Sequence, residues 1–103
     1  MAITNTLLNT SVQPIYVSSG TNAVVVTYFC NTSNTTPVLF SVHLVPSGNI
    51  AVRENLIYNN VNVTAEDTYV MDTEKLILGP GDSLHAYASE DDMVVATVCH
   101  VDV

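Results

Sequence analysis

Short runs of β-branched residues, separated by clusters of turn-forming residues, constrain the fold of this chain more than any other feature. Asn, Thr, Ser, Gly and Pro interrupt runs rich in Val, Ile, Thr and Tyr at intervals of about 8–12 residues. No stretch of about a dozen residues carries apolar side chains at helical spacing. The pattern predicts an all-β protein, an antiparallel β-sandwich of jelly-roll-like character with about eight strands.

Alternation within two of these runs predicts which side chains face the core. In the run at residues 38–45, Phe40, Val42 and Leu44 point one way, with Ser41 and His43 on the other side. In the run at 83–88, Leu84, Ala86 and Ala88 point inward, with His85 and Tyr87 outward. The complete set of predicted strands is 13–18, 23–31, 38–45, 56–58, 61–64, 68–71, 74–78, 83–88 and 93–103.

The length of 103 residues fits one domain. We assign residues 13–103 to a single β-sandwich domain. Residues 1–12 are polar and weakly patterned, which is typical of an N-terminal arm that reaches a neighbour or of a frayed end.

The tightest turn signal is Gly79-Pro80-Gly81-Asp82, between the apolar runs at 74–78 and 83–88. It predicts a hairpin in which Gly79 and Gly81 adopt positive φ and Asp82 accepts hydrogen bonds from the amides of the turn.

Charge excludes two classes of partner. Ten carboxylates face only Arg53 and Lys75, so the net charge is −8, and we expect neither nucleic acid nor an anionic membrane as a partner. Residues 1–6 lack a basic segment followed by an apolar stretch, so we expect no secretory signal peptide. Only 12% of the residues are charged, which indicates a surface that a neighbour partly covers.

No motif predicts catalysis, a cofactor or a metal. His43, His85 and His100 lie singly in predicted strands without the spacing of metal ligands, and we expect surface or rim histidines. Cys30 and Cys99 are either free buried thiols or a bridge across the sandwich. A secreted binding domain or a hydrolase would need a signal peptide or a pocket with a perturbed acid or histidine, and the sequence shows neither.

The segment "IYNNVNVTAEDTYVMDTEKLILGPGDSLHAYAS" resembles a family of small virion proteins of tailed bacteriophages, known from phages of cyanobacteria and other marine bacteria. The resemblance covers most of the chain from Ile15 onward. The matching elements are residues 27–33, 42–48, 55–58, 67–69, 72–78, 81–82 and 96–98.

The resemblance implies a structural protein that is made in the host bacterial cytoplasm and attached to the phage particle. In the first placement it is a capsid decoration (cement) protein, a trimer on the capsid exterior that binds the major capsid protein where capsomers meet. In the second placement it belongs to the tail, the baseplate or a fibre that contacts the host surface.

Five residues are candidates for the contact with a partner. Lys75 either neutralises the acidic group of Asp67, Asp72 and Glu74 or forms a salt bridge between subunits. Arg53 is a candidate because Arg is enriched at interfaces. The remaining candidates are tyrosines that we expect to point outward as interface anchors, namely Tyr16, Tyr58 and Tyr87.

Overall fold

Strands dominate the computed structural model, which describes residues 2–72 and 75–103. The described residues form nine strands: β1 (Ala2–Leu7), β2 (Gln13–Val17), β3 (Asn22–Asn31), β4 (Val38–Val45), β5 (Leu56–Val63), β6 (Thr68–Met71), β7 (Leu76–Leu78), β8 (Ser83–Ala88) and β9 (Val94–Asp102). One turn of 3-10 helix, Arg53–Asn55, precedes β5. Across the described ranges, no helix is long and apolar enough to cross a membrane.

The strands form two antiparallel sheets. Sheet A has the order β1-β9-β3, and β6 and β7 lie one after the other along the free edge of β3. Sheet B has the order β2-β8-β4-β5. With β6 and β7 counted as one strand, the pairs are nested: β1 pairs with β9, β2 with β8, β3 with β6 and β7, and β4 with β5. This is the connectivity of a jelly roll, so the predicted fold class is confirmed.

The core lies between the two sheets and is centred on a pair of aromatic rings. Phe29 of sheet A and Phe40 of sheet B stack with ring centroids 4.1 Å apart and planes 14° apart. Small side chains such as Ala86 and Ala96 are fully buried nearby and leave room for these rings. Burial of each large apolar side chain contributes about 1.5–3 kcal/mol, so the central pair is a main source of stability.

The predicted alternation of β8 is confirmed, because Leu84, Ala86 and Ala88 are buried in the core while His85 and Tyr87 lie on the other face. In β4, Phe40 and Val42 are buried in the core as predicted. The short runs at 56–58 and 61–64 form one strand, β5. Asn60, with φ of 52°, forms an irregularity within it, and Ser41 Oγ accepts a hydrogen bond from the Asn60 amide at 3.0 Å.

The N-terminal segment does not form a separate arm over residues 2–7. These residues form β1, the edge strand of sheet A, with Ala2 opposite His100 and Leu7 opposite Val95. The following residue, Leu8, is completely buried in the core. An edge strand with one neighbour and mostly exposed side chains has little apolar alternation, which is why its sequence pattern is weak.

The turn at residues 79–82 does not form the predicted hairpin, because it leads from β7 of sheet A to β8 of sheet B. Gly81 has a φ of +84°, whereas Gly79 does not adopt a positive φ. Asp82 accepts hydrogen bonds from the amides of Gly79 and Ser47, each at 2.9 Å, so the predicted capping role is confirmed. The bond to Ser47 also ties this turn to the segment that follows β4.

Candidate interaction surfaces

The solvent side of sheet A is uncharged and largely apolar within its strands. Because Val94, Ala96 and Val98 are buried in the core, the alternate residues of β9 and their cross-strand partners point away from it. We call this set the outer face of sheet A: Ile3, Asn5, Leu7, Ala23, Val26, Tyr28, Cys30, Thr68, Val70, Ile77, Val95, Thr97, Cys99 and Val101.

Large side chains of this face are open to solvent. Ile3 is 64% exposed, Ile77 is 62% exposed and Val70 is 43% exposed. Near the middle of the face, the Thr97 hydroxyl donates a hydrogen bond to Asn5 Oδ1 at 2.9 Å. Covering this pair would leave the Thr97 hydroxyl and Asn5 Oδ1 bonded to each other.

The chain itself covers part of the solvent side of sheet B. We call residues 46–55, which connect β4 to β5, the covering segment. Beneath it, His43 is buried although it alternates with the core residues of β4. His43 Nδ1 lies 2.9 Å from the Val52 carbonyl oxygen and 2.8 Å from Asn55 Oδ1. The prediction that His43 is a surface or rim residue is therefore wrong.

Asn55 holds the covering segment in place. Its Oδ1 accepts a hydrogen bond from the Val52 amide at 3.0 Å, and its Nδ2 donates to the Ile50 carbonyl at 2.9 Å. The tip of the segment is open to solvent, since Ile50 is 74% exposed and Arg53 is also exposed. The tip thus combines an apolar side chain with one of the two cationic residues of the chain.

His85 lies opposite His43 in the pairing of β4 and β8. Burial, and secondarily the nearby His43, lower the pKa of the His85 imidazole from its ordinary value. Its Nε2 lies 3.3 Å from Ser83 Oγ. Tyr87 is on the same side, with its ring centroid 6.1 Å from that of His43, so the outward direction predicted for Tyr87 is confirmed.

Tyr16 does not point outward as predicted. It is buried at one end of the sandwich, where its ring lies 4.1 Å from the ring of His100. Its hydroxyl donates a hydrogen bond to Asn22 Oδ1 at 2.7 Å, and Asn22 Nδ2 donates to Asp102 Oδ1 at 2.6 Å. Burial, and secondarily the Asp102 carboxylate, raise the pKa of Tyr16. Tyr16 therefore joins the two sheets through a polar cluster and is not an interface anchor in this fold.

Tyr58 is half-buried and packs against the core, so the expectation of an outward anchor is wrong for this residue as well. It lines a cavity of about 320 Å³ at the open edge between β5 and the β6–β7 side of sheet A. The other lining residues are Leu44, Ile57, Met71 and Leu76. The ring of Tyr69 lies 6.1 Å away at a steep angle, which fixes Tyr58 from one side.

Lys75 is exposed, and its Nζ donates a hydrogen bond to the backbone carbonyl of Asp72 at 2.8 Å. Glu74, one of the carboxylates that Lys75 was expected to neutralise, lies outside the described residues. A salt bridge from Lys75 or Arg53 to another subunit stays a prediction, because the structure is that of a single chain.

The two cysteines are free thiols in the structure. Cys99 is opposite Val26 and Cys30 is opposite Val95 on the neighbouring strand, so their Cα atoms are separated by about 13 Å along the strands. A disulfide needs Cα atoms closer than about 7 Å. Within residues 2–72 and 75–103, no group of three or more His, Cys, Asp or Glu side chains is arranged to hold a metal ion.

The sequence reasoning missed the outer face of sheet A, although a signal for it exists. In β3 and β9 the apolar residues form nearly continuous runs, "AVVV" and "VVATVCHV", where a strand with one solvated face would alternate. Continuous apolar runs are typical of strands that are covered on both sides. Comparison with known proteins adds no further guide, since no family model, no curated protein and no solved structure matches the chain.

Proposed function

We propose that the protein is a structural component of a tailed-phage virion and acts as a capsid decoration protein at capsomer junctions. The sequence resemblance carries the virion assignment, and the outer face of sheet A supports assembly of this chain with a neighbouring subunit. A sandwich that exposes one whole apolar sheet face, in a chain whose net charge is −8, suits an assembly in which that face is covered. The sequence resemblance selects the virion among possible assemblies.

The fold agrees with this role by analogy. Jelly rolls serve as capsid and lectin domains, and the analogy supports a binding or building role without identifying the partner. Rigid strands across both sheets offer surfaces that change little on binding, which suits a protein that adds contacts to a shell that has already assembled.

The mechanism is the addition of buried surface between subunits. A decoration protein that binds only the assembled shell stabilises it by mass action and needs no covalent step. The tip of the covering segment, with Ile50 and Arg53, is the surface that we propose for the contact with the major capsid protein. On the capsid, three bound copies would match a threefold junction by symmetry, as the sequence resemblance implies.

Quantitative mass spectrometry of purified virions tests the proposal by measuring the copy number of this chain relative to the major capsid protein. Hundreds of copies in a simple ratio to the capsid protein would support a decoration protein. A few copies, up to a couple of dozen, would assign the chain to the tail, the baseplate or a fibre. Absence of the chain from virions would overturn both placements.

A second experiment tests the proposed contact. Purified capsids without this chain are mixed with recombinant protein, and binding is measured by co-sedimentation. We expect Arg53→Ala to weaken binding by about tenfold or more, because Arg at the centre of a contact is often a hot spot. Lys75→Ala removes the other cation of the chain and serves as the comparison: unchanged binding would support the contact at Arg53, and a greater loss than in the Arg53 variant would overturn it.

A further inference from the structure

We propose that the outer face of sheet A packs against the same face of a second copy of this chain, so that the free protein is a twofold dimer. The inference identifies what covers the face and does not depend on the virion role. The contact with the capsid would then use another surface, such as the tip of the covering segment.

The distribution of charge favours a second copy as the occupant. In a twofold contact each patch meets itself, so a charged residue within it faces or lies near an equal charge on the partner. In a chain with ten acidic and two basic residues, self-association is therefore favoured through a surface free of carboxylates. The outer face of sheet A is such a surface, since each of its residues is apolar or neutral.

The size of the face fits a small specific interface. Four strand positions about 4.8 Å apart and about seven residues along β9 give a footprint of about 440 Å². Two copies together would bury about 900 Å² from this flat footprint alone. Specific interfaces bury about 1,000 Å² or more, so uneven side-chain surfaces and the rim of the contact must add the rest. The surrounding loops can supply the difference, because the molecule measures 39 × 28 Å along its two longest axes.

The shape and polarity of the face also suit this contact. Two sheets with the same handed twist pack face to face about 10 Å apart, with their strands about 30° from parallel, as sheets do inside a sandwich. The Thr97–Asn5 hydrogen bond satisfies polar atoms in the middle of the face within one chain. Exposed Ile3 and Leu7 on one edge, and Val70 and Ile77 on the other, provide apolar side chains over its full width.

Sedimentation velocity of the recombinant full chain tests the inference over a range of concentrations up to about 100 µM. We expect a species of twice the 11.1 kDa chain mass. Val70→Lys places a cation in each half of the contact and should raise the dissociation constant about 100-fold or more. Val17→Lys is the matched control, because Val17 is a similarly exposed strand residue of sheet B, and this variant should dimerise normally.

Ile3→Lys, on the opposite edge of the face, serves as a second variant, and circular dichroism of each variant establishes that it is folded. A monomer over the whole concentration range, a trimer, or a dimer that persists in both folded variants would overturn the inference. These results are separable from the copy number per virion. Absence from virions leaves the dimer standing, and a monomer leaves the virion role standing.

Discussion

Phe40 illustrates how much of the stability depends on one side chain. It stacks on Phe29 of the opposite sheet and contacts Tyr69, whose ring centroid is 5.6 Å away. We expect Phe40→Ala to lower the free energy of unfolding by about 3–5 kcal/mol, because it leaves a cavity that rigid strands cannot close. Urea denaturation measures this loss. Leu39→Ala, on the exposed side of the same strand, should cost less than about 1 kcal/mol.

Gly81 tests a different kind of constraint, that of the backbone. Its φ is +84°, and a Cβ at this position would collide with Ser47 Oγ. We expect Gly81→Ala to lower the free energy of unfolding by about 1–3 kcal/mol. Gly20→Ala is the control, because a Cβ at this position would meet no atom within 4 Å beyond its chain neighbours and its φ is not positive. Equal melting temperatures for the two variants would contradict this account.

Sequence reasoning succeeded for residues whose environment depends on alternation and failed where a distant segment decides it. Leu84 and Ala86 were placed correctly, because inward residues of a strand repeat every two positions. Tyr16 and His43 were misplaced for a physical reason. His43 is buried by the covering segment, and Tyr16 is buried against His100, which comes from the other end of the chain. Neither contact can be predicted from the local sequence pattern.

The covering segment depends on Asn55 more than on apolar packing. This side chain makes hydrogen bonds to Val52 and Ile50 and lies 2.8 Å from His43 Nδ1. We expect Asn55→Ala to lower the free energy of unfolding by about 1–3 kcal/mol and to speed hydrogen exchange in residues 50–56 selectively. Asn59→Ala, at an exposed position of β5, should leave that exchange unchanged. Uniform protection in the Asn55 variant would show that other contacts hold the segment.

The lowered pKa of His85 makes the stability of sheet B depend on pH. The His85 imidazole is harder to protonate in the folded state than in the unfolded chain. Below the ordinary histidine pKa, near 6.5, the unfolded chain therefore binds more protons than the folded state. Stability is therefore full above that value and falls as the pH drops below it, towards the lowered pKa of the folded state. We expect His85→Gln to reduce this fall, as measured by urea midpoints at several pH values. Tyr87→Phe keeps both histidines and should retain the fall.

Elements at the interior of the sheets were easier to predict than those at their edges. The bounds of β3, β4 and β8 agree with the sequence pattern, because these strands have apolar residues to alternate. The edge strand β1 lacks this pattern and was assigned to an arm, and the edge strand β5 was divided into two runs. The edge strands β2 and β6 have enough apolar residues and were predicted to within one residue of their bounds. The sequence analysis did not predict that the turn at 79–82 leads from sheet A to sheet B, because a turn signal does not indicate which sheet the next strand joins.

For the whole molecule, the proposed dimer should respond to salt in a definite direction. Each chain carries a net charge of −8, so two copies repel each other at long range while the uncharged face attracts at short range. Raising the ionic strength from about 0.01 M to 0.3 M screens the repulsion, and we expect the dissociation constant to fall roughly threefold or more. Sedimentation at both ionic strengths measures it. A dissociation constant that rises with salt would indicate a contact built on ion pairs.

The position of β9 in the middle of sheet A has a consequence for how the chain folds. This strand ends at Asp102 and lies between β1 and β3, and β8 likewise lies between β2 and β4. The last strands of the sandwich thus fill the middle of each sheet, and β1 has no partner in sheet A until β9 arrives. We expect folding to wait until Asp102 has left the ribosome and then to proceed slowly, in milliseconds to seconds, as is usual for proteins dominated by contacts between distant parts of the chain.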